Sequence, residues 1–376
     1  MSRTLVVTND FPTRQGGIES FVRTLAGSLP PDDVVVLTAQ MSDQDTAYDA
    51  DLPFPVLRHP ARTLLPTGAV ARAAARAVRV HRCDRVLFGA AAPLGLLAPA
   101  LRAAGARRLV GITHGHECWW ARLPGTRQAL RRIGDTTDVL TYLGTYTRSV
   151  IAPALSPAAA ARMEPFTPGV DPALFRPGSG GTAVRERYRI AEDAPVVVCV
   201  ARLIPRKGQD TLVRAFPHVL AALPDARLLV AGGGRDGPRL ARLAGELGIG
   251  AAVVLAGPVP WSATPAYFDA GNVFAMPCRT RLGGLEPEAL GIVFLEAAST
   301  GLPVLVGRSG GAPDAVLDGA TGYVVDPRDP DALSRCLVEL LGDPGRARAM
   351  GAAGRAWVER TWTWDQVGAR LVELLG

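Results

Sequence analysis

Apolar, β-branched runs of about three to six residues alternate along this chain with longer stretches whose apolar positions recur every three or four residues. In the first half the runs fall at 4–8, 34–37, 56–58, 85–88, 108–112 and 139–142, with helical spacing between them, most clearly at 18–28 and 69–81. A Pro- and Gly-rich passage follows at 165–181. The alternation then restarts with runs at 195–200, 226–230, 253–255, 273–276, 303–306 and 322–325. Helical segments of ten or more residues between successive strands are what parallel βαβ crossovers require. The restart predicts a second doubly wound sheet, and ligands are expected in the cleft outside the carboxyl ends of the two sets of strands. The tail, 344–375, reads as helical and carries Trp357, Trp362 and Trp364.

Length supports two domains, since 376 residues exceed what one core usually serves. We expect an N-terminal domain at 1–168, joined by a returning C-terminal helix at 360–376, and a C-terminal domain at 169–359. Residues are 48% apolar and only 6% aromatic, which favours aliphatic α/β layers. The cysteines (Cys83, Cys118, Cys199, Cys278, Cys336) are five, far apart and without a C-x-x-C. That pattern excludes a disulfide framework and a paired-cysteine zinc site, and predicts a reducing, cytoplasmic setting. No secretory leader is read at the amino end. The uncharged stretch 86–101 has 16 residues and is interrupted by Pro93 and Pro99, short of the roughly 20 that span a bilayer.

Net charge is +6, and its placement changes the picture more than its size. Residues 1–163 hold 19 arginines against 12 acidic residues, whereas the remainder is nearly balanced. Arg72, Arg76 and Arg79 recur at helical spacing in 69–81, a basic face suited either to solvent or to anionic lipid on the inner surface of a membrane. No aromatic platform accompanies them, so nucleic acid is not expected. Of the 41 basic residues only Lys207 is lysine. A coding bias towards arginine accounts for the other forty but not for this exception.

Lys207 lies in Ala201-Arg202-Leu203-Ile204-Pro205-Arg206-Lys207-Gly208, directly after an apolar run. That places Arg202 at a strand's carboxyl end and Lys207 at the start of the next helix, where a guanidinium fork and an ammonium can meet one diphosphate. An ordinary basic loop is the plainer alternative. A second constellation is Glu288-Ala289-Leu290-Gly291-Ile292-Val293-Phe294-Leu295-Glu296. A helix starting at Gly291–Ile292 aims the free amides of Gly291, Ile292 and Val293 at a phosphate. Glu288 then stands before the helix, able to hold sugar hydroxyls, and Glu296 more than a turn inside it, able to hold ribose hydroxyls. Two solvated glutamates flanking a buried helix are the plainer alternative. Gly16-Gly17 suits either close backbone approach or a plain turn, and Gly232-Gly233-Gly234 after a later run reads as a tight turn. Strand one lacks G-x-G-x-x-G, which weighs against a nicotinamide enzyme.

His114-Gly115-His116-Glu117 closes the run at 108–112. It does not match H-E-x-x-H, so His114 is read as a hydrogen-bonding group near a reacting carbon and no metal is assigned. Asp43-Gln44-Asp45 sits in a polar turn and Asp329-Pro330-Asp331 opens a helix, so neither serves as a metal-binding Asp-x-Asp.

Together with Thr8-Asn9-Asp10-Phe11-Pro12, Met276-Pro277-Cys278-Arg279-Thr280-Arg281 and Ser309-Gly310-Gly311-Ala312-Pro313, these motifs resemble family 4 glycosyltransferases of GT-B fold across essentially the whole chain. The likeness is greatest to the branch that moves mannose from GDP-mannose to phosphatidylinositol mannosides. The resemblance implies a retaining, metal-independent hexosyltransferase without cofactor, using a nucleotide-sugar donor and a glycolipid acceptor. It implies that Arg202 and Lys207 bind the donor diphosphate, Glu288 the sugar, Glu296 the ribose and Val259 the base, with Gly16 and Gly17 beside the donor. His114 is implied at the anomeric carbon, and Asp10, Gly17 and Arg62 on the acceptor side. Arg308 and Thr13 depart from the family pattern. Another donor, a small-molecule acceptor, a nucleotide-sugar 2-epimerase, a phosphorylase or a non-catalytic binding module remain as alternatives.

Overall fold

A computed structural model describes residues 2–14, 17–42 and 44–376. The chain forms two compact units: Met1–Pro168 with Asp365–Gly376, and Gly169–Trp364. In the first unit, β1 (Arg3–Val7), β2 (Val34–Ala39), β3 (Val56–His59), β4 (Cys83–Phe88), β5 (Arg108–Gly111), β6 (Val139–Tyr142) and β7 (Glu164–Pro165) form a parallel sheet of order β3-β2-β1-β4-β5-β6-β7. In the second, β8 (Val196–Val200), β9 (Arg227–Ala231), β10 (Val253–Gly257), β11 (Val273–Met276), β12 (Val304–Gly307) and β13 (Gly322–Val325) form a parallel sheet of order β10-β9-β8-β11-β12-β13. The two-sheet reading holds. The twelve apolar runs are all strands, displaced by one or two residues at some ends, and the two-residue β7 is the strand the pattern did not reveal.

Burial on both faces explains why these strands read as continuous apolar runs rather than alternating ones. Leu5, Val6 and Val7 are each fully buried. Leu5 and Val7 pack with Val35 and Leu37 against Val70, Ala74, Ala77 and Val78 of the helix Gly68–Val80. That helix starts where the Thr67 side chain accepts the Val70 N–H, and its opposite face exposes Arg72, Arg76 and Arg79. The tail divides into two helices, Pro344–Thr361 and Trp364–Leu375. Between them the Val170 N–H donates to the Trp362 carbonyl at 2.7 Å, and a Cβ on Gly169 would lie 2.9 Å from Trp364 Cα, so the chain is pinched there. Among the described residues no helix is long and apolar enough to cross a membrane.

Strand order sets where chemistry can collect. β1 lies between β2 and β4, and β8 between β9 and β11, so the connections leaving each central pair run to opposite faces of the sheet. The carboxyl ends of β1 and β4, and of β8 and β11, therefore flank each sheet's topological switch point.

Candidate active site

In the second unit the loop after β8 carries Arg202, a short 3-10 turn at Pro205–Lys207, and then Gly208. Gly208 has φ +76°, and a Cβ there would lie 1.9 Å from the Pro277 carbonyl oxygen after β11. Only glycine lets the two loops flanking the switch point approach this closely. The Arg279 N–H donates to the Arg206 carbonyl at 2.8 Å and joins them again. Gly232 and Gly234, after β9, likewise press on the loop that carries Arg202: Cβ atoms there would fall 2.0 Å from the Ala201 oxygen and 2.3 Å from the Leu203 oxygen. Close packing, rather than a plain turn, accounts for those glycines.

Lys207 is 8% exposed and donates from Nζ to Glu288 Oε2 at 2.7 Å. Arg206 Nη1 reaches the same oxygen at 2.9 Å and the Pro287 carbonyl at 3.2 Å. Burial pushes the Glu288 carboxyl up, but Lys207, Arg206 and, more weakly, Arg202 outweigh it and hold the group below the usual carboxylate range. The Glu288 main chain is seated by the loop after β12. Its N–H donates to Ser309 Oγ at 3.2 Å and its carbonyl accepts from the Gly311 N–H at 2.9 Å, while a Cβ on Gly310 would fall 2.2 Å from that carbonyl. Arg308 itself is exposed.

Gly291, at φ +85°, turns the chain into the helix Ile292–Ser299, whose first amides are free of helical partners. Glu296 lies one turn inside and is 8% exposed, and burial alone raises its carboxyl to about 7. Arg202 is exposed, and its carbonyl is held by Gln209 Nε2 at 3.1 Å. Val259 is half-buried beyond β10. Arg206 was not singled out from the sequence, although it stands beside Lys207 in the same motif; nothing in the pattern says that its side chain turns to Glu288.

In the first unit, the ends of β1, β4 and β5 bring Asp10, Gly89 and His114 together. His114 Nε2 lies 2.5 Å from the Gly89 carbonyl, and Phe21 meets the ring edge-on at 5.6 Å. A Cβ on Gly89 would fall 2.7 Å from Thr8 Oγ1. Burial depresses the His114 imidazole, with Glu117, Gly89 and Asp10 opposing, so the ring is neutral and its proton sits on the nitrogen facing Gly89. Nδ1 is left as an acceptor. The His116 Nε2 is engaged by the Ala92 carbonyl at 3.3 Å and Glu117 Oε1 at 3.2 Å.

Gly17 opens the helix Gly17–Gly27, exposed, with nothing within 4 Å of where a Cβ would stand. Gly16 lies outside the described residues. Arg62 is exposed on the loop after β3 and makes no side-chain hydrogen bond to Asp10, Gly17 or His114 among them. Asp43 also lies outside the described residues. Asp45 accepts from the Met41 N–H at 2.6 Å and Thr13 Oγ1 at 2.7 Å and pairs with Arg58, a structural role. Asp329 caps its helix by accepting from the Ala332 N–H.

Residues 182–357 match the family model described as glycosyl transferases group 1. Along 99% of its length the chain is 48% identical to a Mycolicibacterium smegmatis protein, of which it covers 97%, named GDP-mannose-dependent alpha-(1-6)-phosphatidylinositol monomannoside mannosyltransferase. It is 45% identical, over 99% of its length and 97% of the relative, to the Corynebacterium glutamicum GDP-mannose-dependent monoacylated alpha-(1-6)-phosphatidylinositol monomannoside mannosyltransferase. Among solved structures, Anabaena HepE in complex with UDP superposes with a TM-score of 0.81 over 100% of this chain and 99% of that one, at 18% identity.

Proposed function

The chain belongs to the group 1 glycosyl transferases, of GT-B fold, and from that premise we propose that it moves mannose from GDP-mannose to a phosphatidylinositol monomannoside. The near-complete span of the 48% identity to a relative of that activity carries the reading. The geometry supplies groups to perform it.

Arg202 and Lys207 receive the donor diphosphate, with the Gly291–Val293 amides completing a cationic and dipolar cradle. Negative charge grows on that diphosphate as the sugar departs, so groups already fixed around it stabilise the transition state more than the ground state. These groups supply the positive charge for which other transferases recruit a metal, and the reaction is metal-independent. Glu288 Oε2 takes both Lys207 and Arg206. Its other oxygen is the acceptor offered to the mannose hydroxyls, and Glu296 takes the ribose hydroxyls. Val259 borders the base, and Gly17 serves the donor as well.

His114 offers Nδ1 to a sugar hydroxyl next to the anomeric carbon. Being neutral, with its one proton committed to Gly89, it serves as an acceptor and not as a general acid. The acceptor hydroxyl attacks from the leaving group's own face, gives its proton to a departing phosphate oxygen, and configuration is retained. Asp10, Gly17 and Arg62 serve the acceptor side. Arg72, Arg76 and Arg79 meet anionic lipid, at about 1 kcal/mol per charge near the surface.

The test is to incubate the protein with labelled GDP-mannose or UDP-glucose, with and without phosphatidylinositol mannosides. Lipid-extractable label that requires both GDP-mannose and the lipid, in an α linkage by NMR, is the expected result. Label passing from GDP-mannose to water alone, or only from UDP-glucose, refutes it.

A further inference from the structure

We propose that Glu117 is a positioning residue for transfer, fixing His114 through its main chain while pairing with His116; the proposal rests on His114 acting beside the sugar. Glu117 has no exposed surface. Its Oε2 accepts the His114 N–H at 3.0 Å. Its Oε1 lies 3.2 Å from His116 Nε2 but accepts no hydrogen bond among the described residues. Gly115, at φ +93°, makes the turn that folds the carboxylate back onto a residue three positions earlier. The two imidazoles lie nearly parallel, 17° apart with centroids 6.5 Å from each other.

A glutamate reaching back to an N–H three residues earlier is also how a capping box begins a helix. Two observations set this one apart. The helix that it opens, Glu117–Trp120, has four residues, too little to need such a cap. And capping glutamates sit in water, whereas a carboxylate sealed from solvent is costly unless donors or a cation meet it. Here the donor is the main chain of His114, on Oε2, while the His116 ring stands 3.2 Å from the other oxygen without a hydrogen bond to it. His114 is thus held at two points, its N–H by Glu117 and its Nε2 by Gly89, which sets the ring's rotation and aims Nδ1.

A double-mutant cycle with Glu117→Ala and His114→Ala tests this, read in kcat, in KM and in GDP affinity. Each single variant is expected to lose about tenfold or more in kcat with GDP affinity within about twofold of wild type. The double variant should fall no more than about twofold below His114→Ala, because both changes remove one function. Glu117→Gln, whose amide oxygen can still accept the His114 N–H, should recover most of the rate. Should Glu117→Ala fail to fold, Glu117→Asp carries the same test, since the shorter side chain keeps the charge but not the reach. Losses that multiply in the double variant, or a wild-type rate in Glu117→Ala while His114→Ala is impaired, overturn the proposal. If His114→Ala transfers normally, the sugar-side reading of His114 is what fails. Imidazole nitrogen NMR then decides Glu117 alone: the wild type should show His114 as one neutral tautomer protonated on Nε2, and persistence of that signature in Glu117→Ala refutes the positioning role.

Discussion

Replacing Lys207 with alanine separates catalysis from folding, because the structure makes the two costs unequal. On stability, truncating one partner of a buried pair ordinarily costs about 3–5 kcal/mol, since the other charge is left uncompensated. Glu288 is not left alone, however: Arg206 stays 2.9 Å from the same oxygen, and the Glu288 main chain is still held by Ser309 and Gly311. The expected loss is therefore about 1–2 kcal/mol, a fall of about 3–6 °C in the melting temperature. On catalysis, an exposed Arg202 and the helix amides remain, but a preorganised cation is gone, and such a deletion typically costs about 2.7–4 kcal/mol, or roughly 100- to 1000-fold in kcat. Lipid-extractable mannose from labelled GDP-mannose measures the rate, calorimetric titration with GDP measures the site, and a thermal melt measures the fold. A folded variant that transfers mannose within about threefold of wild type would refute the reasoning.

Glu296 gives predictions of opposite sign. Its folded value, about 7, lies above the ordinary 4.5, so the stability tied to its proton is present below about 4.5 and lost as pH rises through 7. Glu296→Gln should therefore stabilise the ligand-free protein at pH 8 by up to about 3 kcal/mol while weakening GDP binding about tenfold, and a variant with lower melting temperature at pH 8 contradicts the burial argument. GDP affinity of the wild type should rise between pH 6 and pH 8, with proton release visible as buffer-dependent heat, because ribose hydroxyls favour the ionised acceptor. Gly310→Ala places a methyl 2.2 Å from the Glu288 carbonyl at a left-handed position, so transfer should fall by tenfold or more (about 1.4 kcal/mol) even where a melt shows a folded protein. Chelation with EDTA should leave the rate within about twofold, since bound cations come from the chain itself; a tenfold loss restored by magnesium argues for a metal.

The strands were legible because both faces of each sheet are covered, and that burial writes uninterrupted aliphatic runs into the sequence. β7 escaped because two residues, Glu164 and Pro165, leave no run to see. The second motif was legible for a related reason: an apolar stretch from Ile292 to Leu295 ending in Glu296 signals a carboxylate carried into the interior, where burial raises it to about 7. What the sequence did not carry was direction. Arg206 and Lys207 are neighbours in the loop, yet which cation turns to Glu288 depends on the turn at Pro205–Lys207, and both do. Glycines were misjudged in the same way. Gly232 and Gly234 looked like generic turns because the atoms that exclude a side chain there, the Ala201 and Leu203 carbonyls, are about thirty residues away in the chain.

The lone lysine now has a physical reason. Glu288 presents a single oxygen to two cations, of which Arg206 has 18% of its side chain exposed. The second cation, Lys207, is more buried still, with 11% of its side chain exposed. A guanidinium is a planar fork that needs several acceptors in its own plane, and a buried one with unmatched N–H groups is expensive. An ammonium is compact, and its three donors can be divided between one carboxylate oxygen and whatever anion arrives beside it. Where arginine is otherwise universal, the geometry around Glu288 selects the ion that can be shared, as the bridging role proposed for Lys207 between carboxylate and diphosphate requires.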